Sequence, residues 1–167
     1  MWAFGLGGAL DEFNYSSPVT DAAGNIYICG VYSDTVDFDP SANGIYKLTA
    51  VGQYDGFIAK YDSNGGFVWA KSFGGLFNDD VYYLYSAANG DVLFAGSFDT
   101  SADLNPDTAA VTTYNSIGGA DIFFGRIKSS GILTWLHAIG GTDYDHANSI
   151  TENYLNQVVL QGSFNAY

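Results

Sequence analysis

The chain has 167 residues, 47% hydrophobic and 17% aromatic, with only 14% charged and a formal net charge of −13. So much apolar content excludes a disordered chain, and five Lys and Arg against 18 Asp and Glu exclude a nucleic-acid binder of the usual kind, because neutralising phosphates requires cations. The carboxylates comprise 16 Asp and two Glu, beside 12 Asn and 21 Gly: turn formers that disfavour helix, set among the Tyr, Phe, Val and Ile that favour strands.

Taken in chain order, the predicted elements repeat. The N-terminal Trp2-Ala3-Phe4-Gly5-Leu6-Gly7-Gly8 is apolar but lacks the basic start of a signal peptide. Its pattern returns as Trp69-Ala70-Lys71-Ser72-Phe73-Gly74-Gly75 and as Trp135-Leu136-His137-Ala138-Ile139-Gly140-Gly141, so positions 1–12 are predicted as the closing strand and loop of a preceding unit. The next unit, 13–75, begins with a strand containing Pro18, which must be an edge strand because proline removes a ladder donor. Turns at 22–25 and 62–66 flank its second and third strands, which are separated by a long connection over 33–54. Unit two, 76–141, has strands predicted at 81–86, 92–98, 121–128 and 133–139, with a long connection over 99–120. Positions 142–167 hold the first half of a third unit. A constant shift of 66 carries Gly30 to Gly96 and Gly162, Asp37 to Asp103, Pro40 to Pro106, Asp55 to Asp121, Phe57 to Phe123 and Asp79 to Asp145.

Four short antiparallel strands per period of about 66 residues form a meander. Meanders repeated end to end predict an all-β fold, a partial β-propeller of a little under three blades in one repeat array over 1–167. Closing a ring takes at least four blades, about 264 residues at this period. The expected molecule is therefore an arc: a fragment of a longer propeller, or a chain that assembles with copies of itself, with open blade edges prone to self-association. The single Cys29 cannot form an intrachain disulfide and is expected as a small buried hydrophobe. No apolar run reaches the roughly 18 residues of a membrane span, so no membrane insertion is expected.

The motifs Trp69–Gly75, Gly24–Gly30, Asp37–Pro40 and Asp55–Gly65 together resemble the SBBP-type bacterial β-propeller repeat. The resemblance covers essentially the whole chain. It implies a propeller from a secreted or cell-surface bacterial protein, as in Bacteroidetes, and hence an extracellular or surface location. It carries no general catalytic residues. The second copy departs from the first at Leu104-Asn105, where Phe38-Asp39 stand, and at Gly125-Arg126-Ile127-Lys128.

In a propeller the long connections share one face, and most spare Asp residues fall there, making it the candidate binding face. Asp37 and Asp39, with Asp103 and Asn105, place oxygens on alternate residues, which suits calcium. The alternative is that they cap turns, with Pro40 and Pro106 fixing the loop. Asp79, Asp80, Asp143, Asp145, Tyr82 and Tyr144 complete the candidate surface, with Tyr83 and Tyr85 as further exposed aromatics. The tryptophans recur at one strand position, which suggests packing between blades. His137 and His146 assemble into no nucleophile–base arrangement, so no enzyme is expected. The function predicted is a non-catalytic scaffold or interaction module that binds a protein or glycan through acidic loops. A segment of a propeller enzyme acting on polysaccharide is the alternative.

Overall fold

The computed structural model describes residues 5–8, 12–14, 16–107 and 111–165, so Trp2 and most of the predicted closing strand lie outside them. No helix is present among the described residues. Strand β1 (Gly7–Gly8) precedes the first meander, which consists of β2 (Glu12–Asn14), β3 (Val19–Thr20), β4 (Ile26–Tyr32), a hairpin β5 (Thr35–Asp37) and β6 (Lys47–Thr49), then β7 (Asp55–Tyr61) and β8 (Phe67–Gly75). The second repeats the plan as β9 (Asp79–Ser86), β10 (Val92–Phe98), the hairpin β11 (Ser101–Asp103) and β12 (Thr113–Asn115), β13 (Asp121–Ile127) and β14 (Leu133–Ile139). β15 (His146–Glu152) and β16 (Val158–Ser163) form a third, two-stranded sheet.

The second blade is the predicted antiparallel meander, ordered β14-β13-β10-β9. The turns of both blades are closed by glycines in the left-handed region: Gly24 and Gly65 in the first, at φ of 79° and 84°, correspond to Gly90 and Gly131 in the second, at 84° and 85°. In the first blade the innermost strand is split into β2 and β3, both paired to β4 alone, and Pro18 falls between them. A bulge recurs at one place in each blade, between Lys60 and Tyr61 and between Arg126 and Ile127, beside Trp69 and Trp135.

One correction concerns the long connections. The connections 33–54 and 99–120, expected without strands, each contain a hairpin, and each hairpin reaches back to the outer strand of the blade before it. β11 pairs with the end of β8, Ala102 opposite Gly75 and Asp103 opposite Gly74. β5 pairs with β1 in the same register, Val36 opposite Gly8 and Asp37 opposite Gly7. The hairpins are thus clasps, and the second extends the first blade's sheet to seven strands across the blade boundary.

The apolar cores lie at blade boundaries. Tyr27, Cys29, Ile58, Trp69 and Phe73 of blade one pack against Val81, Phe94, Phe98 and Phe123 of blade two, joined by Ala102 and Leu104 from the second clasp. A second cluster holds Tyr32, Phe57 and Tyr61 under Val36 and Phe38 of the first clasp. A third joins Leu93, Ala95 and Ile122 to Ala147 and Ile150 of the third sheet. Strands β7 and β10 are buried along their whole length because both faces are covered; β10 reads as a nearly continuous apolar run, whereas β7 buries Asp55 and Lys60 as well. Burying each such aromatic is worth about 1.5–3 kcal/mol.

Polar contacts pin the same boundary. Lys60, buried on β7, donates to the Ser129 carbonyl at 2.9 Å and its hydroxyl at 2.6 Å, with its ammonium 5.2 Å from the centre of the Tyr27 ring. The Trp69 indole N–H donates to the same carbonyl at 3.1 Å. One turn of blade two is therefore held by three residues of blade one, the third being Tyr27 through its hydroxyl.

Candidate functional site

Each clasp is framed by carboxylates that bond to the backbone. Asp37 accepts the N–H of Asp39 at 3.1 Å and of Tyr46 at 2.9 Å. Its equivalent Asp103 accepts from Asn105 at 3.1 Å and Thr112 at 2.9 Å. Asp39 accepts the Ser41 N–H, and Asn105 accepts that of Asp107. These are side chains satisfying turn amides, and the N–H groups on Asp37 hold its carboxyl below the usual carboxylate range. The two pairs expected to hold calcium sit on two different clasps, and no group of three or more His, Cys, Asp or Glu residues is placed to hold a metal among the described residues.

Asp79 and Asp145 are buried rather than presented to solvent. Asp79 accepts from Gly75 N at 2.6 Å and Asp99 N at 3.2 Å, and Asp145 accepts from Gly141 N at 2.5 Å and Asn165 N at 2.8 Å. Each carboxylate therefore ties the end of one blade to the start of the connection in the next. Burial pushes the Asp79 carboxyl up to about 7, with the neighbouring Asp55 and Asp80 charges adding to it.

Asp55 and Asp121 were not singled out from the sequence as functional, although both carried the repeat. Both are buried, and each abuts a glycine: a Cβ on Gly74 would meet the Asp55 carboxyl carbon at 2.4 Å, and one on Gly140 that of Asp121 at 2.2 Å. Asp55 accepts from Val51 N, Gly52 N and the Ser72 hydroxyl. At the second site Ala138 replaces Ser72, and one oxygen of Asp121 is left buried with no hydrogen-bond partner among the described residues. Burial raises both carboxyls.

Of the remaining candidates, Asp80 and Tyr82 are half-buried, joined by a 3.0 Å hydrogen bond from the Tyr82 hydroxyl, and Tyr82 lies 4.8 Å from the exposed His146 ring. Burial raises the Asp80 carboxyl. Tyr83 and Tyr85 pack toward the third sheet and are not exposed contacts, because β9 is covered on that side by β15 and β16. Asp143 and Tyr144 are exposed, Tyr144 at 65%.

Among polar residues such as Ser41, Asn43, Thr113 and Asn115, the clasps and inter-blade loops also present apolar side chains. Ile45 at 75% and Val111 at 76%, with Val51, Ile117, Leu76 and Phe77, are exposed on these segments. The polarity of the Asp residues there is visible in the sequence, whereas their capture by backbone amides is not.

No known family profile matches the chain, so the resemblance to SBBP-type repeats gains no support from that direction. The chain is 23% identical, across 98% of its length, to an uncharacterized WD repeat-containing protein of Acanthamoeba polyphaga mimivirus. It is 29% identical, across 79% of its length, to the regulatory protein FlaEY of Caulobacter vibrioides. It spans 13% of each of those proteins. Distant similarity to a WD-repeat protein and an all-β architecture of repeated meanders agree on a repeat, propeller-like chain.

Proposed function

We propose that the chain is part of a propeller-like interaction scaffold whose clasp face engages a protein partner. The observation that carries this reading is the division of labour on the clasps: their carboxylates hold the backbone, while Ile45, Val51, Val111 and Ile117 project outward. Exposed apolar side chains rimmed by polar residues mark protein contact surfaces, and the distant WD-repeat relative fits an interaction role. Membership of an SBBP-type repeat family, and with it secretion or display on a bacterial surface, belongs to the same proposal. Calcium enters it only as an occupant of carboxylate oxygens left over by the turn amides, and a thermal midpoint identical with calcium and with chelator removes it.

The test places a photo-crosslinker at positions 45, 51, 111 or 117, and as controls at 154 or 155 on the β15–β16 turn. Cross-links to a discrete protein at the clasp positions, lost on Ile45→Asp and Val111→Asp, are expected. Equal labelling at the control positions rejects the assignment of the face, and release of reducing ends from a polysaccharide by the full chain selects the enzyme alternative instead.

A further inference from the structure

A cavity of about 570 Å³ opens between the two clasps, floored by the end of β8. We propose that it binds a neutral pyranose unit of a glycan. The site is separate from the outward apolar residues taken as the protein contact, except that Val51 borders both, and the proposal does not rest on that reading.

The volume falls in the range of about 300–1,000 Å³ typical of small-ligand sites. One wall is apolar: Leu48, Val51 and the Tyr46 ring, which is fixed by its hydroxyl donating to the Ala70 carbonyl at 3.2 Å. On the floor Lys71 of β8 lies beside Asp107, which belongs to the second wall, Nζ to Oδ1 at 3.1 Å, both reachable by solvent. A pyranose matches this division, having a face of C–H bonds and a rim of hydroxyls that both donate and accept. The ammonium supplies donors and the carboxylate supplies acceptors at one place. An anion would meet Asp103 and Asp107 within a chain of net charge −13, and a cation would meet Lys71. A neutral polyhydroxylated ligand offends neither. The second wall is also rigid before any ligand arrives, because Asp103 and Asn105 fix the backbone of 103–107.

The repeat supplies an internal control. The shift of 66 places Phe98, His137 and Ala138 at the positions of Tyr32, Lys71 and Ser72, whereas the clasp tyrosine is common to both blades, the Tyr114 hydroxyl reaching the Leu136 carbonyl as that of Tyr46 reaches Ala70. The second blade builds the same strands with Phe98, His137 and Ala138, so the fold does not demand the polar set of the first. Yet blade one buries the Tyr32 hydroxyl beneath the cavity, 2.7 Å from Ser72 Oγ, where the second blade manages with Phe and Ala. A buried hydroxyl contributes little unless its hydrogen bond holds something in place. Here it orients Ser72, which lines the cavity floor.

The test is calorimetric titration of the full chain with cellotriose, maltotriose, mannotriose, chitotriose and, as the anionic arm, trigalacturonate. Saturable binding of at least one neutral trisaccharide is expected, and the double variant Lys71→His, Ser72→Ala should weaken it by about tenfold or more. Because Ser72→Ala alone would strand the buried Tyr32 hydroxyl, Tyr32→Phe is added to copy the set the second blade tolerates, and a cooperative melt of that triple variant separates loss of the site from loss of the fold. Tyr46→Thr should weaken binding likewise. Failure of every neutral sugar to bind, tighter binding of trigalacturonate, or equal binding by the double or the triple variant overturns the proposal.

Discussion

At the scale of single residues, the buried carboxylates at the blade boundaries hold backbone amides, and Asp79 is the most consequential of them. Its carboxyl is fully buried and titrates near 7 in the fold, against about 3.9 in an unfolded chain. A raised value means that the folded state holds the proton more tightly. The stabilisation is therefore complete below about pH 4 and lost as pH rises through about 7, and it amounts to a few kcal/mol. Asp55, Asp80 and Asp121 shift in the same direction and add to the trend. The urea midpoint is expected to fall between about pH 5 and about pH 8, and Asp79→Asn should flatten that fall. At acidic pH, where the wild-type carboxyl holds its proton, the variant should be weaker by about 1–3 kcal/mol, because its amide turns an N–H toward the N–H of Gly75 or Asp99, and this deficit should shrink as pH rises through about 7. A midpoint that rises with pH in the wild-type chain contradicts the assignment. None of this was visible in the string of residues: Asp79 and Asp143 look alike there, and only burial separates them.

At the scale of elements, the meander strands were legible because each central strand is covered on both faces and each turn carries its glycine. Strands 92–98 and 133–139 were placed with their observed bounds. The clasps were not, because β5, β6, β11 and β12 are three residues each, too short for an alternation to mark them, and β5 and β11 pair with a strand from another blade. The signal that could have found them is the Gly-Gly recurring at the end of each outer strand. A Cβ on Gly75 would lie 2.1 Å from the Ser101 carbonyl oxygen, so that glycine exists to let β11 approach. Gly75→Val should part the clasp from β8. Amide exchange over 101–103 and 113–115 is expected to accelerate while β9 and β10 keep their protection, and uniform acceleration of the whole chain would show that the clasp is not a separable element. The candidate face was legible in position only: its location on the long connections was readable, whereas the outward turn of Ile45 and Val111 depends on the clasps that the sequence hid.

At the scale of the whole molecule, blades are stabilised by one another more than by themselves. The Phe94 ring of blade two lies 5.1 Å from Phe73 of blade one and 6.1 Å from Phe123. Phe94→Ala should cost about 3–5 kcal/mol, and amides in β7 and β8 should lose protection together with those of β10. Protection lost in blade two alone would mean that the blades unfold independently. The clasp also accounts for the unusual period. Without positions 33–54 each repeat falls from 66 to about 44 residues, within the roughly 40–45 of WD-type blades, so the extra length is the part that crosses to the neighbour.

Because the described clasps and boundary carboxylates recur at a fixed offset, much of the contact map is translationally periodic. Removing or inserting one whole period at any point along the array leaves each such partner facing an equivalent of its old one. Duplication breakpoints in the gene can therefore fall inside a strand, a turn or a clasp without orphaning those contacts, and blade number becomes a quantity that recombination can change in single steps while the boundary chemistry of Gly74, Gly75 and Asp79 stays intact.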